Sequence, residues 1–122
     1  VWRGLDFSTL DEFVTGFWEA YFAPMDPNNL ICMAWKWRHG DVSLHTDGDL
    51  AAALGRIKAR TFVMPFGNDM FFPPADCKAE ADLIPDCEYR LIDSLWAHFT
   101  MFCMDEKDKK AIDDNLRDLL AS

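Results

Sequence analysis

The 122-residue sequence lacks several features that would assign it to a broad class of protein. No apolar run approaches the roughly 20 residues that a membrane-spanning helix needs. Basic side chains are few, 12 against 21 acidic ones, and the formal charge of −9 repels phosphate backbones and anionic membrane surfaces. The four cysteines include no C-x-x-C pair and are too sparse for a disulfide scaffold. We therefore expect a cytoplasmic protein with reduced thiols, and neither nucleic acid nor a membrane as its partner.

Large aromatic rings, by contrast, are abundant. The chain has five Trp and ten Phe against two Tyr, and half of its residues are hydrophobic. A single core of this length cannot hide so many rings. We expect another chain, or a further portion of this protein, to cover some of them. The first residue is Val rather than Met, which we interpret as a sign of processing or of a fragment.

Two helices are predicted in the first third of the chain. Ser8 is expected to cap a helix that ends near Phe22, because apolar residues recur there at helical spacing. Asp26 followed by Pro27 predicts the start of a second helix. This second helix is apolar on more than one side, so we expect it to be buried or to line a pocket. Residues 39–49 are polar and contain glycine, which predicts a loop.

The remainder of the chain alternates predicted helices and strands. Helices are expected after Asp49, after Pro73 and after Asp105, and buried strands at residues 60–66 and 88–93. Helices and strands that alternate with short connections are typical of the α/β class, in which helices cover a parallel sheet. Two strands are too few for such a sheet, so the pattern indicates part of a larger fold.

Two residues whose side chains could take part in catalysis follow the two predicted strands. Asp69 comes after the first strand and His98 after the second, and the carboxyl ends of parallel strands meet at one edge of a sheet. An acid bonded to one ring nitrogen of a histidine fixes its tautomer and stabilises the imidazolium that forms when the other nitrogen takes a proton. A surface-loop Asp and a structural His fit the same positions, and these residues by themselves leave both interpretations open.

Four segments carry a resemblance to a known family. They are DPNNLICMAWKWRHGDVS at residues 26–43, GDLAAALGRIKARTFVMP at 48–65, NDMFFPPADC at 68–77 and SLWAHF at 94–99. In this order they resemble the C-terminal portion of α/β-hydrolase fold proteins of the homoserine O-acetyltransferase type, in particular the fungal members. The resemblance implies a helical lid segment at residues 1–47 and the C-terminal part of the hydrolase core at residues 48–122.

The resemblance also implies roles for individual residues. Asp69 would be the acid and His98 the base of a Ser-Asp-His triad. The candidates for the pocket wall or for lid packing are aromatic: Trp35, Trp37, Phe71 and Phe72. The substrate would be a small acyl compound, with acetyl-CoA or another acyl donor in that role and no bound cofactor.

The nucleophile of such a triad is missing from the chain. The serine normally sits at a strained elbow with a glycine two residues to either side, and none of Ser8, Ser43, Ser94 and Ser122 has that context. We expect a complementary N-terminal polypeptide that carries the serine, or a second copy of the chain, as a partner. The alternative is a non-catalytic fragment that acts as a binding or dimerisation module.

Three further positions bear on the histidine. Family members generally carry glycine beside the histidine and in the loop that follows, whereas this chain has Ala97, Thr100 and Cys103. Added side chains restrict the backbone there, which predicts a tilted imidazole and leaves the activity of the complemented enzyme open. A Cys103 nucleophile paired with His98 is disfavoured, because five residues of one loop rarely bring the two side chains into contact.

A metal site is not expected. His39 and His45 lie near three aspartates, but a calcium loop with Gly48 at its sixth position would put Leu54 at the twelfth, where a bidentate acid is required. A zinc site needs four well-spaced ligands, and no short Cys/His cluster supplies them.

Overall fold

The computed structural model describes residues 2–121 of the chain. These residues fall into two compact units, one that runs up to Asp41 and one that begins at Val42. The predicted boundary between lid and core segments lies six residues later, after residue 47. The role of the first unit as a lid stays a prediction.

The first unit is helical throughout. A short 3-10 helix, Trp2–Leu5, is followed by α1 (Leu10–Phe22) and α2 (Pro27–His39). Thr9, not Ser8, caps α1, because its hydroxyl accepts a hydrogen bond of 3.1 Å from the Glu12 amide. Asp26 caps α2 as predicted, with a bond of 2.8 Å from the Asn28 amide and Pro27 in the first helical position.

The exposure of α2 overturns one expectation. None of its residues is buried, and the side chains of Met33, Trp35 and Trp37 are 62%, 61% and 59% exposed. The prediction that this helix is buried is therefore wrong for the described part of the chain, and its role in lining a pocket stays a prediction.

The second unit mixes helices and strands. In chain order it contains a 3-10 helix at Val42–Thr46, α3 (Leu50–Leu54), β1 (Thr61–Val63), α4 (Pro74–Ala81), β2 (Cys87–Tyr89), a 3-10 helix at Ala97–Phe102 and α5 (Glu106–Leu120). Asp49 and Asp105 cap α3 and α5, as predicted. The 3-10 helix at Val42–Thr46 replaces part of the predicted loop, and its Ser43 is buried.

The two strands form a small parallel sheet. Thr61 pairs with Cys87 and Val63 with Tyr89, and an isolated bridge joins Phe66 to Ile92. The hydrogen bonds of the ladder continue beyond the strands, from the Ile92 amide to the Pro65 carbonyl at 2.9 Å and from the Gly67 amide to the Ile92 carbonyl at 2.8 Å. The two segments therefore leave the sheet side by side, at the same edge.

A cluster of charges ties the strands to the last helix. The Arg90 guanidinium lies 3.5 Å above the centre of the Phe62 ring and forms ion pairs of 2.6 Å with both Glu88 and Asp118. Arg60 lies over the same ring at 4.7 Å and pairs with Glu88 at 3.1 Å. Hydrogen bonds from the two arginines lower the pKa of Glu88. Because Asp118 belongs to α5, the cluster holds this helix against the sheet.

Apolar burial within the described residues is small. Ala81 and Ile92 are the buried hydrophobic residues among residues 2–121, whereas five buried residues are polar or charged: Ser43, Asp69, Ser94, Thr100 and Asp108. Most large apolar side chains of this part of the chain therefore face solvent. No helix in this part is long and apolar enough to cross a membrane.

Candidate active site

The turn after β1 holds Asp69 in a fixed orientation. Gly67 passes close to the segment that follows β2, since a Cβ at this position would lie 3.3 Å from a carboxylate oxygen of Asp93. Asn68 then adopts a left-handed backbone, with φ of 61°. The Oδ1 atom of Asp69 accepts hydrogen bonds from the amides of Phe71 and Phe72, at 2.8 and 3.2 Å. These bonds leave the second carboxylate oxygen for another partner.

That partner is His98. The Oδ2 atom of Asp69 lies 3.0 Å from Nδ1 of His98, so the two strand ends do bring the predicted acid and imidazole together. The carboxyl group of Asp69 is almost completely buried, and the imidazole is 26% exposed. Among residues 2–121, His98 has no other hydrogen-bond partner, which leaves Nε2 available to take a proton from a nucleophile.

The electrostatics keep Asp69 ionised. Burial by itself raises the pKa of this carboxyl, but the hydrogen bonds from His98 and from the amides of Phe71 and Phe72 outweigh it, and the attraction of the imidazole in its protonated form lowers the pKa further. The pKa of Asp69 is lowered below its ordinary value of 3.8. Because an ionised carboxylate only accepts hydrogen bonds, the bridging proton belongs to Nδ1 of His98. This tautomer is the one that a general base requires.

Two of the four predicted pocket aromatics lie against the imidazole. The centre of the Phe71 ring is 4.7 Å and that of the Phe72 ring 5.7 Å from the centre of the His98 ring, at tilts of 42° and 33°. Trp35 and Trp37 are on α2, in the other compact unit. A pocket role for these two tryptophans stays a prediction.

A small cavity opens beside the pair. Its volume is about 220 Å³, and its walls are mostly apolar. The lining residues are Val63, Met64, Pro65, Phe66, Asp69, Phe72, Cys77, His98 and Met101. The sequence interpretation missed Met101 and Cys77 as lining residues. Residues Val63 to Phe66 could have been identified as lining residues from the sequence, because they lead to the strand end that also identified Asp69.

The thiol of Cys77 lines this cavity in surroundings that keep it protonated. Burial raises the pKa of its thiol, and the negative charges of Glu80, Asp69 and Asp76 raise it further. The reactive form of cysteine is the thiolate, which this environment disfavours. All four cysteines are free thiols in the structure.

The backbone around His98 is strained where the resemblance leads one to expect glycine. Ala97 and Cys103 have φ of 49° and 53°, in the left-handed region that disfavours a side chain. Thr100 is completely buried, and its hydroxyl has no hydrogen-bond partner among the described residues. The expected loss of geometry does not occur in this structure, because His98 still reaches Asp69.

A buried pair next to this loop was also missed. The hydroxyl of Ser94 donates a hydrogen bond to Oδ2 of Asp108, and both residues are at least 95% buried. The two lie 14 positions apart, on a loop and on a helix, so no periodic signal in the sequence joins them. Ser94 is bound to Asp108 and not to His98.

The metal-ligand types show no clustering. Among residues 2–121, no group of three or more His, Cys, Asp or Glu side chains is placed to hold a metal ion. His39 instead bonds the Trp35 carbonyl through Nδ1, at 2.7 Å.

Comparison with known proteins points to esterases. No protein-family model matches the chain. It is 51% identical over 120 residues to ethyl acetate hydrolase from Pseudomonas veronii, and 50% identical over 121 residues to a protein of Corynebacterium glutamicum named as a probable esterase. The alignments cover 98% and 99% of this chain but only 34% and 35% of those proteins. The chain thus spans about a third of the length of these relatives.

Solved structures give the same result. The acetyl esterase MekB matches with a TM-score of 0.93 at 51% identity, and an acetylester hydrolase from Corynebacterium glutamicum matches with 0.92 at 50%. This chain covers 35% of each of those structures. The fold is therefore that of about one third of an esterase. The names of these relatives support the ester-hydrolase part of the expectation and not its homoserine O-acetyltransferase part.

Proposed function

We propose that this chain carries the acid and the base of a serine-dependent hydrolase that acts on small acetyl esters. The observation that carries the proposal is the 3.0 Å bond between Asp69 and His98 at the shared end of two parallel strands, beside an apolar cavity. The names of the relatives favour acetyl esters as the substrate class. The serine belongs to a portion of the protein outside this sequence, and the α/β-hydrolase chain order of Ser, Asp, His places that portion upstream.

Acylation follows from this geometry. Nε2 of His98 takes the proton of the serine hydroxyl while the serine oxygen bonds to the acyl carbon. The ester C–O bond then breaks, Nε2 returns the proton to the departing alcohol oxygen, and an acyl-serine remains. Throughout the step, the charge of Asp69 stabilises the imidazolium and Nδ1 keeps its proton.

Deacylation reverses the roles with water. Nε2 takes a proton from a water molecule, the water oxygen bonds to the acyl carbon, and the bond to the serine oxygen breaks. The serine recovers its proton from Nε2, and the carboxylic acid leaves. Acetyl transfer from acetyl-CoA to an alcohol would share the first half of this scheme and differ only in donor and acceptor. Product analysis with and without an added alcohol distinguishes hydrolysis from transfer.

Active-site labelling tests the proposal. The native protein that contains this chain should hydrolyse ethyl acetate and be labelled by a serine-directed fluorophosphonate on a residue outside Val1–Ser122. Asp69→Asn should keep the fold but reduce turnover by about 10⁴-fold, because the amide favours the wrong tautomer of His98. Asp76→Asn, an exposed acid on α4, is the matched control and should leave turnover unchanged.

Two results would contradict the proposal. The first is stoichiometric labelling of a serine within this chain. The second is wild-type turnover by Asp69→Asn.

A second candidate is a binding or dimerisation module, and the exposure of α2 favours it. Ile31, Met33 and Trp35 are each more than 60% exposed, and apolar side chains so placed are common at protein interfaces. Native mass measurement separates the two candidates. A complex with a serine-bearing polypeptide, or a single longer chain, supports the hydrolase, whereas a homodimer without esterase activity supports the module.

A further inference from the structure

The Ser94–Asp108 pair joins three parts of the second unit. Asp108 lies in the first turn of α5, and Ser94 lies between β2 and the 3-10 helix that carries His98. The Ser94 hydroxyl donates to Asp108 and accepts a hydrogen bond of 3.1 Å from the Trp96 amide. The Ser94 carbonyl accepts a bond of 3.5 Å from the side chain of Asn68, the residue before Asp69. One serine thus contacts the helix, the histidine loop and the acid turn.

The burial of Asp108 makes this contact unusual. Asp108 is 3% exposed, and within residues 2–121 its carboxyl group has Ser94 as its hydrogen-bond partner and forms no ion pair. A buried carboxylate with one hydroxyl donor costs stability unless its environment favours the charge. The positive end of the α5 dipole supplies such an environment, since Asp108 is the third residue of the helix. Removal of either partner would leave the other buried and unsatisfied.

The position of the pair determines what it can control. The bond from the Trp96 amide holds the chain directly before Ala97, which has a left-handed backbone and precedes His98. The Asn68 side chain reaches the Ser94 carbonyl at 3.5 Å, a weak bond that links the histidine loop to the turn from which Asp69 projects. Neither Ser94 nor Asp108 hydrogen-bonds the imidazole or its acid. Their influence on the Asp69–His98 contact must therefore act through the backbone of the two loops.

We infer that Ser94 and Asp108 are positioning residues, which hold the histidine loop and the acid turn at the separation that the Asp69–His98 hydrogen bond requires. The inference rests on the proposed function for its catalytic consequence, but the geometry it describes can be measured without activity. A misplacement of about 1 Å in a catalytic group can reduce turnover by about 100-fold.

Two readouts test the inference in the native protein that contains this chain. The first is kcat and KM for ethyl acetate, and the second is the low-field proton resonance of His98 Nδ1, which reports the bond to Asp69. Ser94→Ala should reduce kcat by about 10- to 100-fold with little change in KM, and should shift or abolish the resonance. Asp108→Asn keeps an acceptor oxygen for Ser94, so its kcat should fall less than that of Asp108→Ala. Asp113→Asn, on the exposed side of α5, is the control and should change neither readout.

Failure of the proposed function and failure of the positioning role give different results. If the wild-type protein hydrolyses no ester, the proposed function fails, and the resonance still tests the positioning role. A Ser94→Ala protein with a normal resonance and normal kcat per folded molecule overturns the inference, even if its melting temperature falls. Equal losses in Asp108→Asn and Asp108→Ala overturn the acceptor role of Asp108, because Asn should rescue the bond.

Discussion

At the scale of single residues, Asp69 shows how a carboxylate is oriented before any substrate arrives. One oxygen is held by two backbone amides and the other by His98, so rotation of the group would break three hydrogen bonds. A preorganised charge of this kind needs no rearrangement during a reaction. The same bonds lower the pKa of the carboxyl against the opposing effect of burial.

The lowered pKa of Asp69 predicts a pH dependence of stability. Because the folded chain binds this proton less readily than the unfolded chain does, the stabilisation is complete above the ordinary value of 3.8 and is lost as the pH falls through the lower folded value. Asp69→Asn cannot titrate. The difference in unfolding free energy between wild type and variant should therefore shrink below about pH 4, as measured by urea denaturation across pH. A difference that is constant with pH would contradict this assignment.

Ala97 offers a test of backbone strain. Its φ of 49° costs an alanine about 1 to 2 kcal/mol that glycine does not incur. Ala97→Gly should raise the unfolding free energy by up to about 1 kcal/mol, because glycine also gains entropy in the unfolded chain. Ala79→Gly, in the middle of α4, is the control and should lower the unfolding free energy by about 0.5 to 1 kcal/mol. If both changes destabilise alike, the left-handed conformation of Ala97 is wrong.

The sequence predicted the parts of the site that obey a positional rule. Asp69 and His98 follow two buried strands, and parallel strands deliver their carboxyl ends to one edge. Ser94 and Asp108 obey no such rule. Their contact depends on where α5 packs, which the spacing of residues along the chain does not report. Cys77 likewise enters the cavity wall only through the packing of α4.

At the scale of secondary-structure elements, the sequence predicted the helix caps but not which helices are buried. Asp26, Asp49 and Asp105 each cap the helix that they were expected to cap. A cap is predictable because it needs only a side-chain oxygen that accepts a hydrogen bond from a free amide two or three residues later. The 3-10 helix at Val42–Thr46 has no comparable signal, and neither does the exposure of α2. Both depend on what lies nearby in space rather than in sequence.

The arginine cluster predicts how the strands and α5 depend on one another. Arg90→Lys should lower the melting temperature, because a lysine cannot stack on Phe62 while it pairs with both Glu88 and Asp118. Arg117→Lys, on α5, is the matched control, since the Arg117 side chain is 80% exposed and lies 4.0 Å from Asp113. Thermal unfolding followed by circular dichroism measures both changes. A fall that is no larger for Arg90 than for Arg117 would show that the cluster does not hold the helix.

At the scale of the whole molecule, the sequence contains far more hydrophobic residues than its described part buries. Half of the sequence is hydrophobic, yet two hydrophobic residues are buried among residues 2–121. Relatives that are about 50% identical have chains nearly three times as long. The simplest physical account is that the exposed apolar side chains of this chain are buried by the portion that those relatives also possess.

Trp37 tests this account directly. In the isolated chain, Trp37→Ala should lower the unfolding free energy by only about 1 kcal/mol, because the residue is already 59% exposed. In the native protein, the same change should cost about 3 to 5 kcal/mol if the ring is fully covered. Lys36→Ala, an exposed neighbour on α2, should have little effect in either setting. Equal costs for Trp37→Ala in the two settings would show that nothing covers this face.

The parallel ladder has a practical consequence. Both strands, the acid and the histidine lie within one continuous stretch of 43 residues, 61–103. In the hydrolase proposed above, the nucleophile lies outside this stretch, so a gene cut once between the two parts would yield two pieces that are inactive alone. Fused to two proteins of interest, such pieces would form a split reporter, in which the release of acetate signals that the two fusion partners have met.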